Sequence, residues 1–265
     1  MAAHFSLTQE QGAEFARAGM LRIPRYFPES MMAGMAGRLW GDLHARFGMD
    51  RERRETWTKE RPAQFQKLVG EGAFDDVADG LQSIADAFLG EGEWERPQHL
   101  CLPLVTFPTG RWDVPSTVWH IDQPPETSID IVPLVRVFVL LERVEPKGGG
   151  TCYVAGSHRV IVERAAALGQ RLRSADVKTV LAQDRWFAAL FSKKTQDRER
   201  RFMVDGGAAW GTEVRVCETV GDAGDIYVMH PAMLHTIAEN ARERPRMMLG
   251  QSLLSRAYLA REGRD

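Results

Sequence analysis

The sharpest local feature of the chain is Trp119-His120-Ile121-Asp122. On an extended segment residues i and i+2 point to the same side, so the His120 imidazole and the Asp122 carboxylate converge. Those two groups are two-thirds of a 2-His-1-carboxylate facial triad, which holds Fe(II) on one face and leaves positions open for substrate and oxygen. The spacing by itself is weak. With seven histidines in the sequence, one such neighbourhood arises by chance at ordinary carboxylate frequency. On that evidence alone, a strand-end pair satisfying each other's hydrogen bonds is the better explanation. A second feature adds weight. After the Gly224-Asp225 turn, Ile226 to His230 reads as a strand, and Pro231-Ala232-Met233-Leu234-His235 follows. A polar loop then leads to Arg246, which shares a strand face with Met248 and Gly250. A buried guanidinium is rare unless paired, and a ligand carboxylate matches its fork as well as a protein carboxylate does. Strand alternation leaves both His230 and His235 open as a third ligand.

The remaining candidates carry less. His4 sits in a fraying terminus, His44 on the polar side of a helix, and His99 before a strand. His158 lies in Gly156-Ser157-His158-Arg159, where a turn residue bonded to its own backbone is the plain reading. Gly148-Gly149-Gly150 precedes no helix and reads as a tight hairpin turn, not a phosphate cradle. Ser157 lacks the GxSxG setting of a hydrolase nucleophile.

The elements that must position these groups fall into two parts. Thr8 with Gln11 three residues on makes a capping box, predicting a helix that stops at Gly19 and a strand over Met20 to Ile23. A second helix from Ser30 to Gly48 buries Met32, Met35, Leu39, Trp40 and Leu43 at a 3.6-residue period. Residues 50–95 read as irregular helix. From about residue 97 short β-rich stretches take over: Leu100 to Phe107, Thr117 to Ile121, Val135 to Val144, Thr151 to Val154, Glu213 to Thr219, Asp225 to Met229, Thr236 to Ala238 and Met247 to Leu254. The expected architecture is mainly β with flanking helices, a jelly roll in a single domain spanning 1–265. Its first part, 1–96, is mainly helical, and a core over 97–257 is interrupted by a helical insertion at about 159–201. Strand–helix–strand alternation is missing, so a doubly wound sheet or an α/β barrel is not expected.

Bulk properties narrow the class. A chain of 265 residues, 44% hydrophobic and 26% charged, is globular rather than disordered or fibrous. Its longest apolar run, Val137 to Leu141, is far too short to span a bilayer. Nothing at the start resembles a signal peptide, so a cytoplasmic location is expected. A net charge of −2, with both signs mixed in the charged runs, argues against nucleic-acid binding. The three cysteines are odd in number, lack CxxC spacing and read as reduced thiols. The oligomeric state is not legible.

Taken in order, these pieces resemble the phytanoyl-CoA dioxygenase family of Fe(II)- and 2-oxoglutarate-dependent oxygenases. The resemblance runs through Leu7-Thr8-Gln9-Glu10-Gln11, Gly19 to Pro24, His120-Ile121-Asp122, Gly149 to Arg159, Gly224-Asp225, Leu234-His235 and Arg244-Pro245-Arg246. Residues 45–95 carry little of it. The family implies a double-stranded β-helix, cupin-like, with iron in its mouth. By motif, His120, Asp122 and His235 would be the metal ligands, His235 being preferred to His230 because it ends the apolar stretch before the Glu239-Asn240 loop. Arg246 would hold the distal carboxylate of 2-oxoglutarate, O2 being the second co-substrate. Many members carry a small polar residue two positions after the distal histidine; here that position is Ile237, so Thr106 or Thr151 would supply the contact. Related halogenases have a small residue at the acidic position, so Asp122 implies hydroxylation of a C–H bond, with release of succinate and CO2.

Substrate contacts are expected from Trp119, Gln123 and Trp186, each also readable as packing, on elements over the barrel mouth: 112–117, 123–129 and the helical block. No basic cluster marks a coenzyme A site, so a small free molecule is the expected partner. Desaturation and ring closure would use the same residues. Three other classes stay open. They are a cupin-type metal enzyme that does not use 2-oxoglutarate and would not need Arg246, an inactive small-molecule-binding homologue, and an esterase, for which the nucleophile elbow is missing.

Overall fold

The computed structural model describes residues 5–123 and 132–261. Helix α1 (Gln9–Ala18) starts at the expected box: the Thr8 hydroxyl accepts from the Gln11 N–H, and the Gln11 side chain accepts from the Thr8 N–H. It ends on Gly19, whose φ of 76° only glycine adopts without strain. Strand β1 (Met20–Ile23) follows, then α2 (Glu29–Phe47) with the five apolar positions buried as the period demands. Two short helices, α3 (Gln66–Gly70) and α4 (Ala78–Leu89), complete the N-terminal part.

Seven strands come next: β2 (Leu102–Thr106), β3 (Leu134–Leu140), β4 (Thr151–Ala155), β5 (Gly207–Ala209), β6 (Thr212–Glu218), β7 (Ile226–Met229) and β8 (His235–Ile237). The long β9 (Arg246–Leu254) and the helix α8 (Arg256–Arg261) close the chain. Helices α5 (Ser157–Leu168), α6 (Ser174–Leu181) and α7 (Arg185–Phe191) lie between β4 and β5. Every pairing is antiparallel, in two sheets of order β1-β7-β3-β9-β2 and β5-β6-β4-β8.

Side-chain alternation explains how one strand serves two cores. Val135, Val137 and Val139 of β3 face outward with Ile226 and Val228 of β7, packing under α2 and α4. Phe138 and Leu140 face the other way and meet Tyr227, Met229 and Met248 in a third cluster that Met233 and Tyr153 join. A separate cluster fills the space between the small sheet and α5–α7. Both faces of the large sheet are thus buried, which accounts for the apolar run from Val137 in β3.

The expectation of a mainly β chain is corrected in proportion: helix makes up 37% and strand 23%, because the apolar outer faces of both sheets need helical cover. The strands also differ in places: the expected Val135–Val144 stretch stops at Leu140, and β5 forms where no strand is expected. The 117–121 stretch is no strand, because Val118 sits at φ 62° and breaks the extension, leaving one isolated bridge at His120. Cys101, at φ 68°, likewise delays β2 to Leu102.

Candidate active site

That isolated bridge builds the site. The His120 N–H donates to the His235 carbonyl and the His235 N–H to the His120 carbonyl, both at 3.0 Å. This non-local pairing sets the two imidazoles side by side, with ring centroids 4.2 Å apart. Asp122, two residues on, places Oδ1 3.5 Å from His235 Nε2 and 3.9 Å from His120 Nε2. The three side chains offer ligand atoms that all lie within 4.8 Å of one another, and no other such cluster occurs among the described residues.

The tautomers are set by the backbone. His120 Nδ1 lies 2.9 Å from the Val118 carbonyl and His235 Nδ1 3.0 Å from the Met233 carbonyl. Each Nδ1 therefore carries the proton, and each Nε2 presents a lone pair toward Asp122. Burial pushes the His235 imidazole down to about 4 against the pull of Asp122, so it is neutral and ready to ligate at pH 7. Asp122 Oδ2 is buried with no hydrogen-bond partner. A divalent cation fits this donor set. Val118 at positive φ is unfavourable for a β-branched residue, and its carbonyl is the one that orients His120.

His230, the competing ligand, points elsewhere. Its Nδ1 accepts from the Ala232 N–H and its ring lies 4.9 Å from that of His158. His158 is not bonded to its own turn, as its setting suggested, but reaches the Ala16 carbonyl 3.1 Å away. Burial pushes His230 to about 3 and His158 to about 4. The pair sits under the segment that leads to His235. Ser157 Oγ takes the Leu234 N–H at 3.0 Å, and the Gly19 carbonyl takes the His230 N–H at 2.9 Å.

Arg246 begins β9 opposite Thr106 of β2. Its Nε donates to the Gly149 carbonyl, Nη1 to the Leu104 carbonyl and Nη2 to Thr106 Oγ1, at 2.9, 3.1 and 2.8 Å. Every acceptor is neutral, and no carboxylate lies within ion-pair distance among the described residues. Burial, with Arg61 nearby, draws its pKa down to about 10, which still leaves it charged at pH 7. Two of its five N–H groups, one on each Nη, remain to be used. Asn240 holds the preceding loop, donating to the Thr106 and Arg244 carbonyls. A buried cation oriented by neutral oxygens is a receptor for an anion.

The triad and Arg246 line one cavity of about 400 Å³, within the usual range for small-molecule sites. Thr106, Thr151 and Ile237 line it too, the last two directly opposed in the β4–β8 register. Trp119 and Trp186, expected as substrate contacts, do not line it. Trp119 alternates away from His120 into the outer cluster and donates to the Pro115 carbonyl, while Trp186 packs on Phe187 and Phe202. Gln123 also lies off the cavity lining and accepts from the Tyr258 hydroxyl at 3.0 Å. The rest of the 123–129 loop, and His4, lie outside the described residues. Segment 61–66 lines one wall of the cavity in place of residues 112–117. Arg136, which the sequence reading passed over, lines the cavity as well; a lone charge in the apolar β3 was the available signal.

The family model for phytanoyl-CoA dioxygenase matches residues 15–248. The chain belongs to the phytanoyl-CoA dioxygenase family. Solved structures share the fold of this family member at low identity. The nogalamycin-biosynthesis carbocyclase SnoK, described as non-heme and α-ketoglutarate-dependent, is 19% identical over 94% of this chain and 84% of its own, with a TM-score of 0.55. EvdO2 from Micromonospora carbonacea var. aurantiaca, crystallised with 2-oxoglutarate, is 17% identical over 96% and 94%, with a TM-score of 0.56. AviO1 from Streptomyces viridochromogenes Tue57 is 14% identical over 96% and 98%, with a TM-score of 0.55. No curated protein matches the chain significantly. No described helix of this family member is long and apolar enough to cross a membrane.

Proposed function

We propose that this protein is an Fe(II)- and 2-oxoglutarate-dependent dioxygenase that hydroxylates a C–H bond of a small molecule, releasing succinate and CO2. The observation that carries the reading is the joint presence, in one cavity, of a His-Asp-His cluster and a buried arginine with unused donors. A cupin-type enzyme without 2-oxoglutarate gives no account of that arginine.

Iron and its co-substrates, when bound, supply the oxidising chemistry. The protein's own groups do the rest. His120 and His235 present neutral nitrogens, and Asp122 supplies the negative charge that favours a divalent cation. Arg246 takes the distal carboxylate of 2-oxoglutarate through its two free N–H groups, held in place by Thr106. The Thr106 and Thr151 side chains stand where Ile237 cannot donate. Asp122 fills the acidic position and so favours hydroxylation over halide transfer. Phe138, Leu104 and Ile237 give the cavity apolar walls that limit water near the reacting C–H bond. Three free cysteines suit a reducing, cytoplasmic setting.

The test is succinate formation from 2-oxoglutarate under air with Fe(II). Wild type is expected to turn over slowly without substrate, and Asp122→Asn to give none above the metal-only background. Equal succinate from both proteins would contradict the reading.

A further inference from the structure

The cavity carries more positive charge than its iron and 2-oxoglutarate can use. Its described lining includes Arg61, Arg136 and Arg246 against a single carboxylate, Asp122. A divalent cation and a dianionic co-substrate cancel each other, and Arg61 is paired with Glu60 at 3.5 Å, which leaves the walls with an excess of about one positive charge. Arg246 has its use in the co-substrate. Arg136 has none so far.

Arg136 lies on the inward face of β3, between Val135 and Val137, where a charge is unexpected. Its Nη1 donates to Ser252 Oγ at 3.0 Å, its one hydrogen bond among the described residues. Its Nε faces Asp122 Oδ2 at 3.9 Å, too far for a hydrogen bond, and both atoms are buried and unpartnered. Among the described residues, one N–H of Nη1 and both of Nη2 have no hydrogen-bond acceptor. Gly250, opposite Phe138, makes room for the guanidinium: a Cβ there would lie 2.5 Å from Nη2. When a metal shares the Asp122 charge, this buried cation loses most of its only counter-charge among the described residues, a costly condition unless an anion takes its place.

Position separates this cation from the co-substrate arginine. Arg136 pairs across with Ser252, six residues beyond Arg246 on β9, so the two backbones are about 20 Å apart at roughly 3.3 Å per residue. Leu102 and Arg136 also line a second cavity of about 600 Å³ beside the first, so the guanidinium stands where the two adjoin.

We propose that Arg136 anchors an anionic group of the primary substrate, so that the enzyme acts on a small carboxylic acid held with its free end toward the metal. This rests on the oxygenase reading above. The anion completes the guanidinium's free fork with two N–H···O bonds, and the apolar wall at Phe138 and Leu104 takes the hydrocarbon part.

The experiment uses the Fe(II)- and 2-oxoglutarate-loaded protein under anaerobic conditions, reading the visible charge-transfer band while titrating hexanoate, benzoate and 3-phenylpropionate against their primary amides. At least one acid is expected to shift the band and to bind tenfold or more tightly than its amide. Arg136→Met should abolish that preference while leaving the Kd of Fe(II) and of 2-oxoglutarate within twofold. Gly250→Ala, which displaces the guanidinium tip without removing it, should weaken the acid and not the amide. Acids and amides binding alike, or no acid shifting the band, overturns the proposal. A 2-oxoglutarate Kd raised tenfold by Arg136→Met overturns it in favour of a co-substrate role, and a similar loss of metal affinity in favour of a residue that positions Asp122. Absence of any band in wild type would instead count against the oxygenase reading itself.

Discussion

Acid should loosen the fold through the buried histidine pair. His158 and His230 are held neutral, at about 4 and about 3, while the same side chains unfold to an ordinary value near 6.5. Between those limits the unfolded chain binds more protons than the folded one, so stability is complete above pH 6.5 and falls as the pH drops toward the folded values. At pH 5 each histidine withdraws about 2 kcal/mol relative to pH 7.5, so the pair removes roughly 4 kcal/mol from a typical total of 5–15. The tautomers are fixed by contacts. His230 Nδ1 accepts from Ala232 and so carries its proton on Nε2, whereas His158 Nε2 donates to Ala16 and leaves Nδ1 bare. The control therefore keeps those bonds without the titration: His158→Gln places a donor near Nε2, and His230→Asn an acceptor near Nδ1. Urea denaturation of the metal-free wild type and the double variant at pH 7.5, 6 and 5 gives the difference. Titration of His235 and of the carboxylates is common to both proteins and cancels. Wild type should lose about 3–4 kcal/mol more than the variant over that range. Identical pH slopes would refute the buried-neutral assignment.

Three further outcomes follow from the packing. Thr106→Val removes the oxygen that orients Arg246 Nη2 and should raise the 2-oxoglutarate Kd about tenfold, some 1.4 kcal/mol, with unchanged circular dichroism. Val118→Asn relieves a β-branched residue at φ 62° and should stabilise the fold by about 1 kcal/mol in chemical denaturation. Gly19→Ala meets both a φ of 76° and a Cβ position 2.4 Å from His158 Nδ1 and Met233 Cε, so it should cost about 2–4 kcal/mol and lower Tm accordingly.

What the sequence made legible was chiefly local. The Thr8 box, the αL stop at Gly19 and the period of α2 are short-range devices, and they stand where the residues put them. The alternation in β3 and β9 revealed strands and hid which of two buried faces looks inward, since both are apolar. His120 and Asp122 came from spacing, yet their meeting depends on a bridge to residue 235 that no window of sequence contains. Arg246 stood out as a charge entering an apolar strand. Arg136 satisfies the same rule and was passed over for want of a motif around it. Trp119 and Trp186 were proposed for their type; both are turned into the cluster under the small sheet, Trp119 by the alternation that sends His120 inward and Trp186 by packing from α7 onto Phe187 and Phe202. Segment 61–66 gave no signal because it is irregular, and its place at the cavity wall is set by packing alone.

The central claim is that His120, Asp122, His235 and Arg246 together hold Fe(II) and 2-oxoglutarate. Its most direct test is an anaerobic titration of Fe(II) and 2-oxoglutarate into the metal-free protein, following the metal-to-ligand charge-transfer band. The expected result is a band that disappears in His235→Ala, persists in His230→Ala once folding is verified, and needs far more 2-oxoglutarate in Arg246→Ala. Tight metal binding without a band, or a band that depends on His230 and not on His235, would contradict the account.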